Sequence, residues 1–302
     1  MIESTLSVKP DPFFRRLSLA AAVATYILIV VGALVRTTGS GLGCPDWPLC
    51  HGQLVPVSGG DWTTAIEFSH RLVSAAVSAL IVAVAYFAWK NYRAQKWIYR
   101  SALLAIALLI VQIVLGGITV ILELPPVIVA AHLGNSLLIL ALLIVIALDA
   151  TRPWDAIARV ARDNLPRLAL WSTVGAYIVI ISGTFVLGTF AHWRCTTWPL
   201  CDQVFPSEPL PIVAVTHRYI TAAIGVLILY TFWQTYRTRR AVPRVLQWAT
   251  YSAFLFILQI LVGALNVFTK FDVIAGMLHL ATAAAVWSAM VVFTLLVYRT
   301  TE

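Results

Sequence analysis

The sequence predicts an all-α membrane protein with eight transmembrane helices, arranged as two four-helix bundles related by a pseudo-twofold axis. Three observations predict this fold class. The 302 residues are 60% apolar and only 11% charged, whereas soluble globular proteins are about 45–50% apolar and about 25% charged. Eight apolar runs are long enough to cross a bilayer, and the second half of the chain repeats motifs of the first. A chain of this size cannot hide so much apolar surface from water, so lipid is its solvent.

The apolar runs define the predicted helices, since a helix needs about 20 residues to cross the hydrocarbon core. Barrel strands would instead alternate apolar and polar residues over about 10 positions. The run from Leu103 to Leu122 is interrupted only by Gln112, Thr119 and two glycines. The first run exceeds the core of a signal peptide, about 7–15 residues, so we expect it to be retained. The predicted segments are 14–36, 64–89, 98–121, 126–149, 168–190, 211–235, 246–268 and 273–298.

The positive charges indicate how the helices are oriented. Of the 21 Lys and Arg residues, 16 lie before or in the first turn of the first predicted helix, after the last one, or in and next to the loops that follow every second helix. Loops rich in Lys and Arg stay in the cytoplasm, so we expect both termini there, in a multi-pass protein of the cell membrane. The net charge of +8 therefore reflects the membrane topology, with some attraction of the basic loops to anionic lipid. Nucleic acid is not an expected partner.

The two halves of the chain are an internal duplication. Cys44–Cys50 (CPDWPLC) recurs as Cys195–Cys201 (CTTWPLC), and Gly32 recurs as Gly183, each 151 residues later. Further positions recur at a spacing of 147: Ser69-His70-Arg71 with Thr216-His217-Arg218, Gln112 with Gln259, Gly116 with Gly263, and His132 with His279. Each repeat has four helices, an even number, so both halves share one orientation, as parallel transporter repeats do. We therefore expect an N-terminal bundle in residues 1–155 and a C-terminal bundle in residues 156–302.

The four cysteines form two pairs, each six residues apart, in loops expected outside the cytoplasm. An oxidising compartment favours disulfides, so Cys44–Cys50 and Cys195–Cys201 are the preferred pairings. Zinc is the alternative, but structural zinc usually uses Cys-x2-4-Cys spacing with further ligands. The disulfides could staple a Gly- and Pro-rich loop or serve a redox reaction, and we favour the staple.

Four of the six histidines lie inside predicted helices, about two turns from the non-cytoplasmic end, and match as pairs under the repeat. They are His70, His132, His217 and His279. Ionisable residues inside a bilayer are costly and mark a function. A single one could serve an interhelical hydrogen bond, but four in two symmetric pairs favour a ligand site. His51 and His192 lie in loops and do not match, so we expect them to be exposed and uncommitted.

Haem is the ligand that suits such pairs. A four-helix bundle places side chains of different helices across its core, and histidine is a standard axial ligand of haem iron. Zinc would need further ligands, and none accompanies either pair at that depth. Arg36, Arg71 and Arg218 could bind haem propionates near the outer surface, or could instead snorkel to lipid phosphates. Gln112 and Gln259 are expected to form interhelical hydrogen bonds.

The repeat breaks at Glu67, which precedes His70 by three residues on the same helix face. The matching position before His217 is Ala214. A carboxyl group at this depth is costly unless it takes part in the chemistry, so the asymmetry predicts one bundle that reacts and one that only carries electrons. The alternative is that Glu67 belongs to the wet first turn of a helix capped by Asp61.

At these residues the chain resembles the haem A synthases. The resemblance covers nearly the whole chain: eight helices from a duplicated unit, Glu67-Phe-Ser-His70, two histidine pairs, and a cysteine pair in each outer loop. It implies oxidation of a ring methyl of haem O to a formyl group, through successive hydroxylations and loss of water, for terminal oxidases. It also implies substrate haem O on His70 and His132 beside Glu67, and a haem b cofactor on His217 and His279.

The resemblance further implies partners. A haem O synthase would supply the substrate, and an electron donor or acceptor that the sequence does not name would complete the reaction. The loop disulfides would have a redox role in handling substrate or electrons, although the Cys44–Cys50 separation is shorter than in some members.

Two other classes stay open beside this one. A di-haem b-type electron carrier would use the same histidines without an asymmetric carboxyl group. A haem transporter would release its ligand unchanged. The sequence leaves the oligomeric state open.

Overall fold

Eight long helices dominate the computed structural model, which describes residues 11–56, 61–151, 159–161, 163–201 and 209–301. Each helix is long and apolar enough to cross a membrane. They are α1 (Pro12–Thr37), α2 (Trp62–Asn91), α3 (Lys96–Ile121), α4 (Pro126–Thr151), α5 (Leu165–Gly188), α6 (Pro209–Thr238), α7 (Pro243–Phe268) and α8 (Val273–Thr300). Every predicted segment begins and ends within three residues of the observed helix. The eight-helix membrane fold is therefore confirmed, and the chain is an integral multi-pass membrane protein.

Aspartates at the N-cap position begin three of the helices. The Asp11 carboxylate accepts the N–H of Phe13 at the start of α1, and Asp61 accepts the N–H of Thr64 at the start of α2. Asp272 begins α8 in the same way. A carboxylate at this position satisfies N–H groups that have no partner inside the helix. The cap expected at Asp61 is thus present.

The same helix pairings occur in each half of the chain. In the first half, α1 and α3 each pack against α2 and α4; in the second, α5 and α7 each pack against α6 and α8. These pairings are those of two four-helix bundles. The expected boundary at residues 155 and 156 lies outside the described residues, and the pseudo-twofold axis and the cytoplasmic termini stay predictions.

Helix α8 joins the two halves. It packs against α1 and α4 of the first half as well as α5 and α7 of the second. Its Trp287 and Val291 are buried in the N-terminal core, and its Met290 and Phe293 in the C-terminal core. Because apolar burial does not drive association between helices in lipid, close packing and hydrogen bonds hold this seam.

Among the described residues, three hydrogen bonds from a side chain to a main-chain carbonyl cross the seam between the halves. They run from Trp287 Nε1 to the Leu137 carbonyl (2.9 Å), from the Tyr26 hydroxyl to the Ala281 carbonyl (2.9 Å) and from Arg36 to the Leu187 carbonyl (3.2 Å). At the opposite end from the cysteine loops, Arg299 and Asp149 form an ion pair of 2.7 Å. The two halves are therefore tied together at several depths.

Candidate functional site

Two disulfide loops lie at the same end of the helices and share their local structure. The Sγ atoms of Cys44 and Cys50 are 1.99 Å apart, and those of Cys195 and Cys201 are 1.89 Å apart, so both expected pairings are present. Each loop has a short 3-10 turn before its first cysteine, at Ser40–Leu42 and Ala191–Arg194. Each also has a cis peptide bond before the proline of the shared Trp-Pro-Leu motif.

Glu67 and Arg71 attach the first loop to α2. One oxygen of the Glu67 carboxylate accepts the N–H of Cys44 at 2.9 Å, and the other pairs with Arg71 at 2.6 Å. Arg71 also donates to the carbonyls of Cys44, Asp46 and Leu49 at 2.7–3.0 Å. Glu67 is only 4% exposed, so it does not belong to a wet first turn, and the alternative interpretation of this residue is wrong.

Arg218 attaches the second loop in the same way, but without a carboxylate. It donates to the carbonyls of Cys195, Thr197 and Pro199 at 2.7–3.3 Å, and the position of Glu67 is taken by the buried Ala214. Most N–H groups of both arginines therefore already have protein acceptors. A propionate contact from Arg71 or Arg218 stays a prediction, and a propionate would have to compete with these carbonyls.

The first loop also holds His51, which the sequence predicted to be exposed and without a role. His51 is exposed as expected, but its Nε2 atom lies 2.9 Å from the Gly43 carbonyl. The carboxylate of Asp46 accepts the N–H groups of His51 and Gly52 at 2.6 and 2.7 Å. The hydrogen bonds from Gly52 and His51 lower the pKa of the Asp46 carboxyl. His51 is thus part of the loop structure rather than uncommitted.

The expectation that His192 is exposed is wrong. This residue is 6% exposed and its ring packs against Trp193 and, edge-on at 4.7 Å, against Phe271. Burial lowers the pKa of the His192 imidazole. Phe271 lies in the turn between α7 and α8, about 80 residues away in sequence, so no local pattern in the sequence indicated this contact.

A glycine on a neighbouring helix faces each of the four intramembrane histidines. The pairs are Gly32 with His70, Gly116 with His132, Gly183 with His217 and Gly263 with His279. A Cβ atom on these glycines would lie 3.7, 3.3, 3.1 and 3.1 Å, respectively, from the Cε1 atom of the ring. The last three distances are shorter than ordinary van der Waals contact, so any larger residue would press on the imidazole.

Each half also brings its two histidines together. His70 and His132 lie within electrostatic range of each other, as do His217 and His279. In the first half the Gln112 amide bridges to His132, Asn135 and Ser136. In the second half Gln259 contacts His279 and Thr282. The interhelical hydrogen bonds expected of both glutamines are confirmed.

These features fit a haem in each half better than a bare metal ion. Histidine imidazoles are standard ligands of haem iron, and the structure supplies two half-buried imidazoles per half, each opposite a glycine. Within the described ranges no group of three or more His, Cys, Asp or Glu side chains could hold a metal ion, whereas zinc usually has four ligands. The residues that would hold iron are His70 with His132, and His217 with His279.

Comparison with protein families identifies the chain. A family model named COX15-CtaA and described as "Cytochrome oxidase assembly protein" matches residues 15–67 and 63–291. The chain belongs to this family. Both histidine pairs and both cysteine loops lie within the matched residues.

Individual relatives of the COX15-CtaA family are similar over most of their length. A protein named "Heme A synthase" from Alkalihalophilus pseudofirmus is 32% identical over 290 residues, which is 93% of this chain and 96% of the relative. Proteins of the same name from Bacillus cereus and Bacillus mycoides are each 31% identical over 277 residues, 88% of both chains.

Three polar residues of the COX15-CtaA site were not identified from the sequence. Ser182 lies 2.7 Å from Nδ1 of His217, and Asn135 and Thr282 each bind the glutamine that contacts a histidine. The repeat alignment held a signal for them, because Ser182 matches Val31 and Thr282 matches Asn135. These substitutions in an otherwise similar pair of sites mark positions where the two halves differ.

Proposed function

We propose that this protein is a haem A synthase that oxidises a ring methyl of haem O to a formyl group. The substrate haem lies in the N-terminal bundle on His70 and His132, and a b-type haem cofactor lies in the C-terminal bundle on His217 and His279. The observation that carries this proposal is the pair of half-buried, glycine-faced histidines in each half of a member of the COX15-CtaA family. The cofactor haem would supply one-electron redox chemistry.

Glu67 supports the assignment of the reaction to the N-terminal bundle. It lies one turn from His70, is buried, and accepts an N–H donor on each carboxylate oxygen. Accepting on both oxygens is the role of an ionised carboxylate. A fixed negative charge beside the substrate would stabilise positive charge that develops at the ring methyl, or would take a proton from it. The second half has Ala214 at this position and could not do either.

Pigment analysis tests the enzymatic activity. The protein is co-expressed with a haem O synthase in a host that makes no haem A, and the extracted haems are separated. We expect haem A, and only when this protein is present. Haem O recovered unchanged, from a protein that carries haem, would contradict the proposal and would leave an electron carrier or a transporter.

Replacement of the axial ligands tests the assignment of the cofactor. His217→Ala and His279→Ala should each remove the low-spin b-type spectrum of the purified protein, because the iron loses one of its two axial donors. His51→Ala is the matched control, since His51 lies in the exposed loop. A normal spectrum in either axial variant would overturn the C-terminal cofactor site.

A further inference from the structure

The Nδ1 atoms of the four intramembrane histidines have different surroundings in the two halves. In the C-terminal half, Nδ1 of His217 lies 2.7 Å from Ser182 Oγ. Nδ1 of His279 lies 3.2 Å from the Gln259 amide nitrogen, which is also 3.4 Å from Nε2 of the same ring. In the N-terminal half, Nδ1 of His70 and of His132 is buried and has no hydrogen-bond partner among the described residues. An axial histidine holds its metal better when Nδ1–H has an acceptor, which fixes the tautomer and makes the ring more basic.

Ser182 accepts a hydrogen bond from His217. Its single hydroxyl hydrogen is directed at the Val179 carbonyl, 2.8 Å away, so Oγ is left to accept the Nδ1–H of His217. The Nε2 atom of His217 is then unprotonated, and its lone pair is available to iron. In the N-terminal half Val31 takes the place of Ser182, next to Gly32, and a valine offers no acceptor.

Asn135 fixes Gln112 in an orientation in which its amide nitrogen occupies the ring nitrogen of His132 that iron would use. The Asn135 amide nitrogen donates to the Leu108 carbonyl at 2.9 Å and to Gln112 Oε1 at 2.8 Å. The Gln112 amide nitrogen is therefore turned toward Nε2 of His132, 3.2 Å away, and donates to it. Because Nε2 is the ring nitrogen on which His132 accepts this bond, iron must displace it to bind there.

Thr282, at the position of Asn135, leaves Gln259 free to turn. A hydroxyl group can accept as well as donate, and that of Thr282 also reaches the Leu278 carbonyl at 2.8 Å. In the structure the Thr282 hydroxyl donates to Gln259 Oε1, and the Gln259 amide nitrogen faces both Nδ1 and Nε2 of His279, at 3.2 and 3.4 Å. With the Thr282 hydrogen on the Leu278 carbonyl instead, Thr282 can accept from a turned Gln259 amide, whose oxygen can then accept Nδ1–H of His279. The amide nitrogen of Asn135 cannot accept, so Gln112 has no such alternative.

We propose that these polar residues set the lifetimes of the two haems, so that the C-terminal bundle retains its haem and the N-terminal bundle exchanges it. Ser182 and Thr282 are positioning residues, acting on the iron through His217 and His279. The inference rests on the proposed function, in which the N-terminal haem is substrate and must enter and leave in each reaction cycle. The two halves differ at Val31 and at Asn135, and both differences weaken the binding of haem iron in the N-terminal half.

Transfer of haem to apomyoglobin measures these lifetimes. The purified protein, reconstituted in lipid nanodiscs, is mixed with excess apomyoglobin, and haem loss is followed by absorbance. Ser182→Val introduces at position 182 the residue that the N-terminal half has at the matching position 31. We expect loss of the b-type haem to accelerate by about 10- to 100-fold. The reduction potential of that haem should rise, because its axial ring becomes a poorer donor. The reciprocal Val31→Ser should slow the loss of haem O from the N-terminal bundle.

Control variants separate this effect from misfolding and from failure of the proposed function. Ser182→Thr keeps the hydroxyl group and should lose its haem as slowly as the unmodified protein. Threonine and valine have the same branched shape, so a merely structural role of Ser182 would give the two variants the same rate of haem loss. Ser182→Val should keep its low-spin spectrum while haem is bound. A loss rate within twofold of the unmodified protein in Ser182→Val overturns the inference, even where His217→Ala abolishes the spectrum and so supports the cofactor assignment. A normal low-spin b-type spectrum in His217→Ala instead contradicts the C-terminal cofactor site of the proposed function.

Discussion

Glu67 and Arg71 form an ion pair of 2.6 Å on adjacent turns of α2, and both side chains also bind the backbone of the Cys44–Cys50 loop. The carboxylate that lies one turn from His70 is thus fixed from two directions. Its position depends on the loop as much as on its own helix. This arrangement occurs in one half only, because Ala214 replaces the carboxylate in the other.

Glu67→Gln tests the catalytic use of this carboxylate. We expect haem A formation to fall by about 100-fold or more, the contribution typical of a positioned acid or base, while the C-terminal haem remains. The variant also places an amide N–H₂ against a backbone or guanidinium donor, which should cost about 1–3 kcal/mol of stability. Pigment analysis per folded molecule measures the first effect and thermal unfolding the second.

Asp61→Ala is the control for Glu67→Gln. It removes the N-cap of the same helix and should cost about 1 kcal/mol of stability without changing turnover. Near-normal haem A output from well-folded Glu67→Gln would reject the catalytic role and leave Glu67 as an anchor of the loop.

The glycines opposite the histidines give a second prediction. In Gly183→Ala the new methyl group would lie 3.1 Å from His217 Cε1, so the ring must turn, and we expect weaker haem binding with an altered low-spin electron paramagnetic resonance signal. Gly175→Ala is the matched control on α5, because its methyl group would meet Ile224 instead. Equal changes of the signal in both variants would mean that only helix packing had been disturbed.

The two arginines predict how firmly each loop is held. Arg71→Gln removes three bonds to loop carbonyls and the ion pair, and the Cys44–Cys50 disulfide should then be reduced by a thiol about 10-fold faster or more, since each bond contributes about 1 kcal/mol. Arg218→Gln should accelerate only Cys195–Cys201. Mass spectrometry of alkylated peptides measures both loops in one sample. Acceleration of both disulfides by either variant would indicate general loosening.

The charge distribution predicts the side of the membrane on which the loops lie. After reduction of intact cells, an impermeant maleimide should label all four cysteines, because the basic loops at the opposite end stay in the cytoplasm. Labelling that requires permeabilised cells would mean that the orientation is inverted.

Much of the fold could be predicted from the sequence, because each membrane helix is a long run of apolar residues. Such a run can be recognised without knowing its tertiary contacts. The histidine pairs were equally visible, since the repeat aligned them without any knowledge of contacts. What could not be predicted were the partners of polar groups. Arg71 follows Glu67 by four residues, a spacing that indicates an ion pair, but its bonds to the loop carbonyls depend on how the loop folds back.

Ser182 is a second polar residue whose partner could not be predicted from the sequence. A serine in a transmembrane helix usually bonds to the carbonyl of its own preceding turn, and Ser182 does so with Val179. Only the position of His217 on α6 reveals its second bond. His192 was misjudged for a related reason, since the ring that covers it, Phe271, comes from a distant turn.

The seam between the halves has a consequence for how such a protein can diverge after duplication. Among the described residues, three of the hydrogen bonds that cross it end on main-chain carbonyls, those of Leu137, Leu187 and Ala281, whereas the Arg299–Asp149 pair joins two side chains. A carbonyl is present whatever side chain its residue carries, so a substitution at a receiving position does not by itself remove the hydrogen bond or require a compensating change in the donor. The two copies can therefore drift apart in their interiors while their mutual fit is conserved, which would allow one copy to specialise in chemistry and the other in permanent storage of a redox group.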